Sequence, residues 1–284
     1  MMEQLHLPEL PAQWQPERIR EILQLAGKFA LERQHRLDVT LKTDGTTLTQ
    51  VDMALDRAFH QASRKTWLIS EESCQDVDHD FLEQRGMAPG YILDPIDGTA
   101  PYSNCLWMWG ISLGFACDGI ICEGAIYLPA TDEFIISHAK DVWYQRAGGK
   151  PVRMQKAKDL TAIQKKNIMI AIPQDCAKYG SVNLPNGVHA VGSAVVAIAN
   201  LLLQRYGAFF GRLKLWDYAG GLPLCRKLGF HVDDEVGASW PDTLLHHKLI
   251  VAPSQPEHLR SKSLIYFCHP DFKEIKKQIK IKET

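Results

Sequence analysis

Paired cysteines, an excess of one charge and long apolar runs are all missing from this chain. Its seven cysteines (Cys74, Cys105, Cys117, Cys122, Cys176, Cys225 and Cys268) form no C-x-x-C pair and are odd in number. Scattered thiols of this kind fit a reducing compartment, so a cytoplasmic location is expected. Lys and Arg total 32 against 33 Asp and Glu, a net charge of −1. That balance provides no global field for nucleic acid or a membrane surface, and neither is expected as a partner. No apolar run approaches the ~20 residues of a membrane span. The N-terminal stretch MMEQLHLPELPAQWQPER has neither the basic start nor the continuous apolar stretch of a signal peptide. No internal repeat or low-complexity segment stands out. What remains is a globular composition, 45% hydrophobic and 23% charged, over 284 residues. That length allows one large domain or two moderate ones sharing a core.

The most informative stretch is YILDPIDGTAPYSN, residues 91–104. Tyr91, Ile92 and Leu93 read as a short buried strand. Asp94 sits at its end, Pro95 is expected to stop the ladder, and Asp97-Gly98-Thr99 turns the chain. Pro101 is tolerated in a first helical turn, where its missing N–H has no partner to lose. Two carboxylates three residues apart on a strand-to-helix turn can converge on a hard cation such as Mg²⁺. The N–H groups of Gly98 and Thr99 would face outward at a helix start, where an anion is favoured. Taken alone, Asp-Gly is a turn and Asp-Pro a breaker. Together they read as a phosphate-handling site.

Around that centre, residues 1–16 read as an irregular lead-in. Ile19, Ile22, Leu23, Ala26, Phe29 and Ala30 follow a helical period from Glu17. In LKTDGTTLTQVDMALD (41–56) the first half is turn-rich, and the second starts a helix near Asp52, with Val51, Leu55, Ala58, Phe59 and Ala62 on one face. Trp67-Leu68-Ile69 predicts a strand ending at Glu71-Glu72, a pair that alone would be surface decoration. Residues 74–90 read as a loop with a short helix. GISLGFAC and IICEGAIY flank Asp118-Gly119, a strong hairpin signal. EFIIS and VWYQ continue the antiparallel sheet. A shift to KAKDLTAIQKKN divides the chain into an N-terminal α+β domain, 1–155, and a C-terminal α/β domain, 156–284. In the second half, 167–172 and 188–191 read as strands, and Gly192-Ser193 opens an apolar helix with Ser193 as N-cap. YGAFF and KLW read as strand-like pieces before Trp216-Asp217, and Pro223 should kink the helix that follows. Residues 248–253 predict a strand, 256–268 a helix, and the lysine-rich tail a solvated helix.

Separate strings along the chain carry a resemblance to the inositol monophosphatase family. The 91–104 stretch is similar to its DPxDGT signature, although Ala100-Pro101-Tyr102 departs from the residues that usually follow. Lys42, Asp44, Thr46, Thr49 and Asp52 match a K-x-D-x-[ST]-x-V-T-x-x-D string, with Leu48 for the valine. Glu71-Glu72 stands at the family's distance before the signature. Gly192-Ser193-Ala194 and Trp216-Asp217-Tyr218-Ala219-Gly220 match its later turn and helix start. The resemblance implies a layered αβαβα sandwich, with an antiparallel sheet in the N-terminal half, a mixed sheet in the C-terminal half and helix pairs between layers. It implies a Mg²⁺-dependent, Li⁺-sensitive phosphomonoesterase, commonly dimeric, using two or three ions, with Mn²⁺ a possible substitute.

Carried over residue by residue, the resemblance gives Glu71, Asp94, Asp97, Asp217 and the Ile96 carbonyl as metal ligands, with Asp94 bridging. Thr99, oriented by Asp52, would hold the attacking water, with Glu71 as partner base. Gly98, Thr99, Gly192, Ser193 and Ala194 would contact phosphate or substrate, and Glu72 and Lys42 would support the acids from behind. Cations ~3.5–4 Å apart can activate water and support a leaving oxygen. Four acids packed together would repel unless cations were present. The substrate is expected to be a small polyol or sugar phosphate, with histidinol phosphate and 3′-phosphonucleotides as alternatives. Phe210 stands where inositol-specific members often place an acid, which counts against inositol itself. A non-catalytic relative that binds a phosphorylated ligand would usually have lost an acid or the threonine; here all are present.

Overall fold

The computed structural model describes residues 4–42 and 45–280. Helix α1 (Pro16–Arg33) starts with proline in its first turn and buries Ile19, Ile22, Leu23, Ala26 and Ala30. A short hairpin follows, β1 (Val39–Leu41) and β2 (Thr47–Thr49). It runs into α2 (Gln50–Ala62), whose capping box joins Thr49 and Asp52. Strand β3 (Trp67–Ser70), a single 3₁₀ turn (Glu71–Ser73) and α3 (His79–Gln84) lead to β4 (Gly90–Asp97) and α4 (Thr99–Ser103). A meander comes next: β5 (Gly110–Cys117), β6 (Ile120–Leu128), β7 (Glu133–His138), β8 (Asp141–Arg146) and β9 (Val152–Arg153). Its first turn, Asp118-Gly119, has both residues at positive φ, as a right-twisted two-residue hairpin requires.

The second half comprises α5 (Ala162–Asn167), β10 (Met169–Ile172), α6 (Gln174–Tyr179), β11 (Ser181–Val182) and β12 (Val188–Ala190). These are followed by α7 (Ala194–Leu202), β13 (Tyr206–Gly211), α8 (Leu215–Ala219), α9 (Leu222–Leu228), β14 (His231–Asp234), β15 (Ile265–Cys268) and β16 (Ile279–Lys280).

Strands β3 to β9 lie side by side in chain order as a seven-stranded sheet. It is antiparallel except at one edge, where β3 pairs parallel with β4. The other main sheet has the order β12-β10-β13-β15-β14 and is mixed. Helices α1 and α2 cover one face of the large sheet, and α7, α8 and α9 fill the space between the two sheets. The outer face of the small sheet packs Ile170, Ile172, Ala208, Phe210 and Tyr266 against Cys176 of α6 and Ile275 of the tail. The result is a five-layer αβαβα sandwich. Its central core draws Ile92 and Ile126 from one half and Val195, Ile198, Leu201 and Trp216 from the other. Helix α7 buries eight of its nine residues, and each large aliphatic among them contributes about 2 kcal/mol. That burial fixes α7, and with it the floor of the site.

Several sequence expectations need correction. The β4 ladder does not stop at Pro95; it slips register between Asp94 and Asp97 and pairs again at Asp97–Gly110. Proline lacks a ladder donor, and the irregularity accommodates it without ending the strand. Leu215 and Trp216 belong to α8 rather than to a strand. Pro223 kinks no helix, because the chain breaks at Gly220-Gly221 and Pro223 enters the first turn of α9. Residues 248–253 hold only an isolated bridge, Leu249 to Ser261. Residues 256–259 form turns, Arg260 and Ser261 make isolated bridges and 265–268 are β15, so no helix forms there, and the described part of the tail forms 3₁₀ turns and β16. Apolar residues in 256–268 fit either period, and pairing of Tyr266 with Phe210 of β13 and Asp233 of β14 decides for strand.

Candidate active site

Three elements meet at one place. Asp94 and Asp97 project from the end of β4, Asp217 from α8, and Glu71 from the 3₁₀ turn after β3. One carboxylate oxygen from each of Asp94, Asp97 and Asp217 lies within 4.8 Å of the others. Asp94 is 1% exposed, and its Oδ1 has no hydrogen-bond partner among the described residues. An uncompensated buried carboxylate oxygen is costly, and an oxygen-only donor set of this kind suits a hard divalent cation. The residues present therefore fit the group that the motif suggests.

The remaining acid, Glu71, stands outside that tight group. Its Oε1 accepts from Lys42 Nζ at 2.8 Å, and the same ammonium donates to Glu72 Oε1 at 2.8 Å. Glu71 still acts on the three aspartates through its charge. Burial, then the charges of Glu71, Asp97 and Asp217, hold the Asp94 carboxyl well above the usual range. Asp217 is raised in the same way by burial, Asp97 and Glu71. Burial pushes Asp97 to about 7 against the opposing hydrogen bonds from Ser193 and Val195. Burial and Glu71 take Glu72 to about 7. Burial works against the Lys42 charge, yet its two glutamates outweigh that and hold its pKa above the ordinary lysine value.

Thr99 follows Gly98, which has φ +89°, a conformation that favours glycine. A Cβ on Gly98 would also lie 3.0 Å from the Met108 carbonyl oxygen and the Ser193 Cβ. The Thr99 hydroxyl is 3.2 Å from Asp52 Oδ1 and 3.1 Å from the Ile96 carbonyl oxygen. Asp52 is held in turn by the Thr49 N–H at 2.9 Å and the Thr49 hydroxyl. Burial raises Asp52 to about 6, against those hydrogen bonds from Thr49. The capping box of α2 thereby becomes the support of Thr99. Asp44, matched by motif, lies outside the described residues.

At the far side, the Ser193 hydroxyl donates to Asp97 Oδ2, as does the Val195 N–H at 2.6 Å. Ser193 also accepts from Val196 N–H at 3.1 Å as the N-cap of α7. Ser193 is thus tied to an acid, and Asp97 helps to cap α7, a tie across 96 residues that no local pattern signals. Gly192 and Ala194 flank it, Gly192 at φ +74°. Asp217 Oδ2 accepts from Lys214 N–H at 2.8 Å, so it caps its own helix and faces the cluster. Sequence reasoning also missed His258. Its Nδ1 accepts from Ala252 N–H and its Nε2 lies 3.1 Å from the Cys74 carbonyl oxygen, beside the Glu71 turn. A lone histidine in a surface-crossing turn carries no signal.

A five-layer sandwich with clustered acids at the end of β4 and a threonine on the adjoining turn defines a class of metal-fitted phosphate enzymes. The sequence profile of the "Inositol monophosphatase family" matches residues 17–265. This chain belongs to the inositol monophosphatase family and is a phosphoric monoester hydrolase. It is 27% identical over 220 residues to the inositol-1-monophosphatase of Mesorhizobium japonicum, covering 71% of this chain and 77% of that one. The fold is similar to a staphylococcal inositol monophosphatase-1 soaked in LiCl as an inhibitory complex, with TM-score 0.68, 15% identity and 93% and 96% of the two chains covered. It is also similar to an IMPase/NADP phosphatase complexed with Mg²⁺ and phosphate, with TM-score 0.65, 16% identity and 91% and 93% covered.

Proposed function

We propose that this chain is a Mg²⁺-dependent phosphatase of a small polyol or sugar phosphate. The observation that carries the reading is the convergence of Asp94, Asp97 and Asp217 around a buried carboxylate oxygen that has no partner among the described residues. Asp94, Asp97, Asp217, Glu71 and the Ile96 carbonyl would hold the ions, with Asp94 shared between them. When bound, divalent cations would supply charge neutralisation at the phosphoryl group and a more acidic water. A relative in fold that carries Mg²⁺ and phosphate supports this choice of cation, and one soaked in LiCl supports Li⁺ sensitivity. Mn²⁺, with the same preference for oxygen ligands, would replace Mg²⁺.

The chain's own groups do the rest. The Thr99 hydroxyl, held between Asp52 and the Ile96 carbonyl, receives and orients the attacking water. Glu71 takes up that water's proton as its oxygen approaches phosphorus. To do so it gives up part of its pairing with Lys42, which keeps Glu72 as counterion. The N–H groups of Gly98 and Thr99 hold phosphate oxygens, because the positive φ of Gly98 opens that turn. Gly192 and Ala194 border the alcohol, while Ser193 keeps Asp97 in place. Positioning and charge stabilisation supply most of phosphoryl-transfer catalysis, and this arrangement offers both. A nucleotide phosphate is the second reading, favoured by the similarity to an enzyme named for both IMPase and NADP phosphatase activity. We place the enzyme in the cytoplasm as a homodimer. Phosphate release from a panel of polyol, sugar and nucleotide phosphates tests the reading. Mg²⁺-dependent release is expected from the wild type and not from Asp94→Asn; equal release by both would overturn it.

A further inference from the structure

The segment leading into Asp217 holds a group of cations that the mechanism above does not use. Along residues 212–215, Leu213 and Leu215 are buried, Arg212 is exposed and Lys214 half-buried. Period-two alternation puts Arg212 and Lys214 on one face. Residues 259–262 run antiparallel beside them: Leu215 N–H donates to the Leu259 carbonyl and Ser261 N–H to the Leu213 carbonyl, each at 2.8 Å. Lys214 stands opposite Arg260, and opposed residues of an antiparallel pair share a face. The same register brings Lys262 across from Arg212. Four cations therefore line the outward side, while Leu213, Leu215, Leu259 and Ser261 fill the inward one.

Counterions are scarce on that side. Glu257 reaches Arg260 at 3.2 Å, but among the described residues Arg212, Lys214 and Lys262 have no carboxylate within ion-pair distance. Arg260 Nε is buried and has no acceptor among the described residues. Like charges gathered this way repel, and a bound anion removes that cost. The patch adjoins the acid pocket, because Lys214 is three residues before Asp217 and donates its N–H to it. The Lys214 charge also acts on Cys74, which directly follows the Glu71 turn.

We propose that Arg212, Lys214, Arg260 and Lys262 bind a second phosphate group of the substrate while the scissile one occupies the acid pocket. The preferred substrate is then a bisphosphate of a sugar or a nucleoside. This inference rests on the phosphatase reading and narrows it, since a neutral polyol monophosphate offers these cations nothing.

The test compares kcat/KM, with Mg²⁺, for glycerol 2-phosphate, fructose 1,6-bisphosphate and adenosine 3′,5′-bisphosphate. The wild type should prefer one bisphosphate, and the two bisphosphates separate a sugar from a nucleoside carrier. In Lys214→Gln, and separately in the surface double variant Arg212→Gln with Lys262→Gln, that preference should fall about tenfold, chiefly through KM. An unchanged preference in both variants, or a wild-type preference for glycerol 2-phosphate, overturns the proposal. If no substrate releases phosphate, the phosphatase reading fails instead. Calorimetric titration of adenosine 3′,5′-bisphosphate with Ca²⁺ present then decides the patch alone. Weaker binding in the variants supports it, whereas equal binding, or loss of binding only to a single-stranded RNA, refutes it.

Discussion

Thr99 shows how one side chain joins local structure to chemistry. Its hydroxyl sits between a capping carboxylate and a backbone carbonyl, so its orientation is set before any ligand arrives. Thr99→Ala should therefore reduce kcat by about 10²-fold or more while the Mg²⁺ affinity stays within about threefold, as turnover assays and metal titration together would reveal. The reverse pattern would make Thr99 a structural residue. Asp94, Asp97 and Thr99 were legible in the sequence because they share one short motif. The Lys42 bridge to Glu71 and Glu72 was expected only through the family resemblance and not from local pattern, since it spans about thirty residues and depends on how a hairpin folds over a turn. Ser193 was legible as a helix cap, but its bond to Asp97 follows from the packing of two sheets.

At the scale of elements, period-two and period-3.6 patterns located the β5–β6 hairpin and helices α1, α2 and α7. They failed in 248–268, where turns at Pro253, Ser254 and Pro256 leave 253–257 exposed and break the stretch into pieces too short to show a period. Ties between layers are equally invisible locally. Glu133 of β7 is 2% exposed and meets Arg205, Tyr144 and Thr131. Burial alone would raise its pKa, but those hydrogen bonds outweigh it and hold the carboxyl at about 2. A depressed folded-state pKa contributes stability above the ordinary value of 4.5, and that contribution is lost as pH falls toward 2. Glu133→Gln should thus melt several degrees below the wild type at pH 7. The gap should narrow steadily below about pH 4.5, as thermal melts across pH would record. A gap independent of pH would mean that the ion pair with Arg205 contributes nothing.

For the whole molecule, the acid pocket sets a conflict between folding and function. The folded-state pKa values of Asp97 and Glu72, about 7, and of Asp52, about 6, lie above their ordinary values. Raised carboxyl pKa values mean that stability is fully present below about pH 4 and is lost as pH rises through 6 and 7. In EDTA the melting temperature should fall between pH 4.5 and 7.5, and Mg²⁺ at pH 7.5 should restore it by mass action. Asp94→Asn should restore part of it in EDTA, because it removes one of the repelling charges. A melting temperature in EDTA that rises over the same interval would contradict this. Chelation and pH would then act through some other part of the fold.

If acids from β4 and α8 form one cation site, calorimetric titration of Mg²⁺ will register the loss of each of them. Asp94→Asn, Asp97→Asn and Asp217→Asn should each bind Mg²⁺ at least about tenfold more weakly than the wild type. Wild-type affinity in Asp217→Asn, with its fold intact by circular dichroism, would separate α8 from the site and contradict the account.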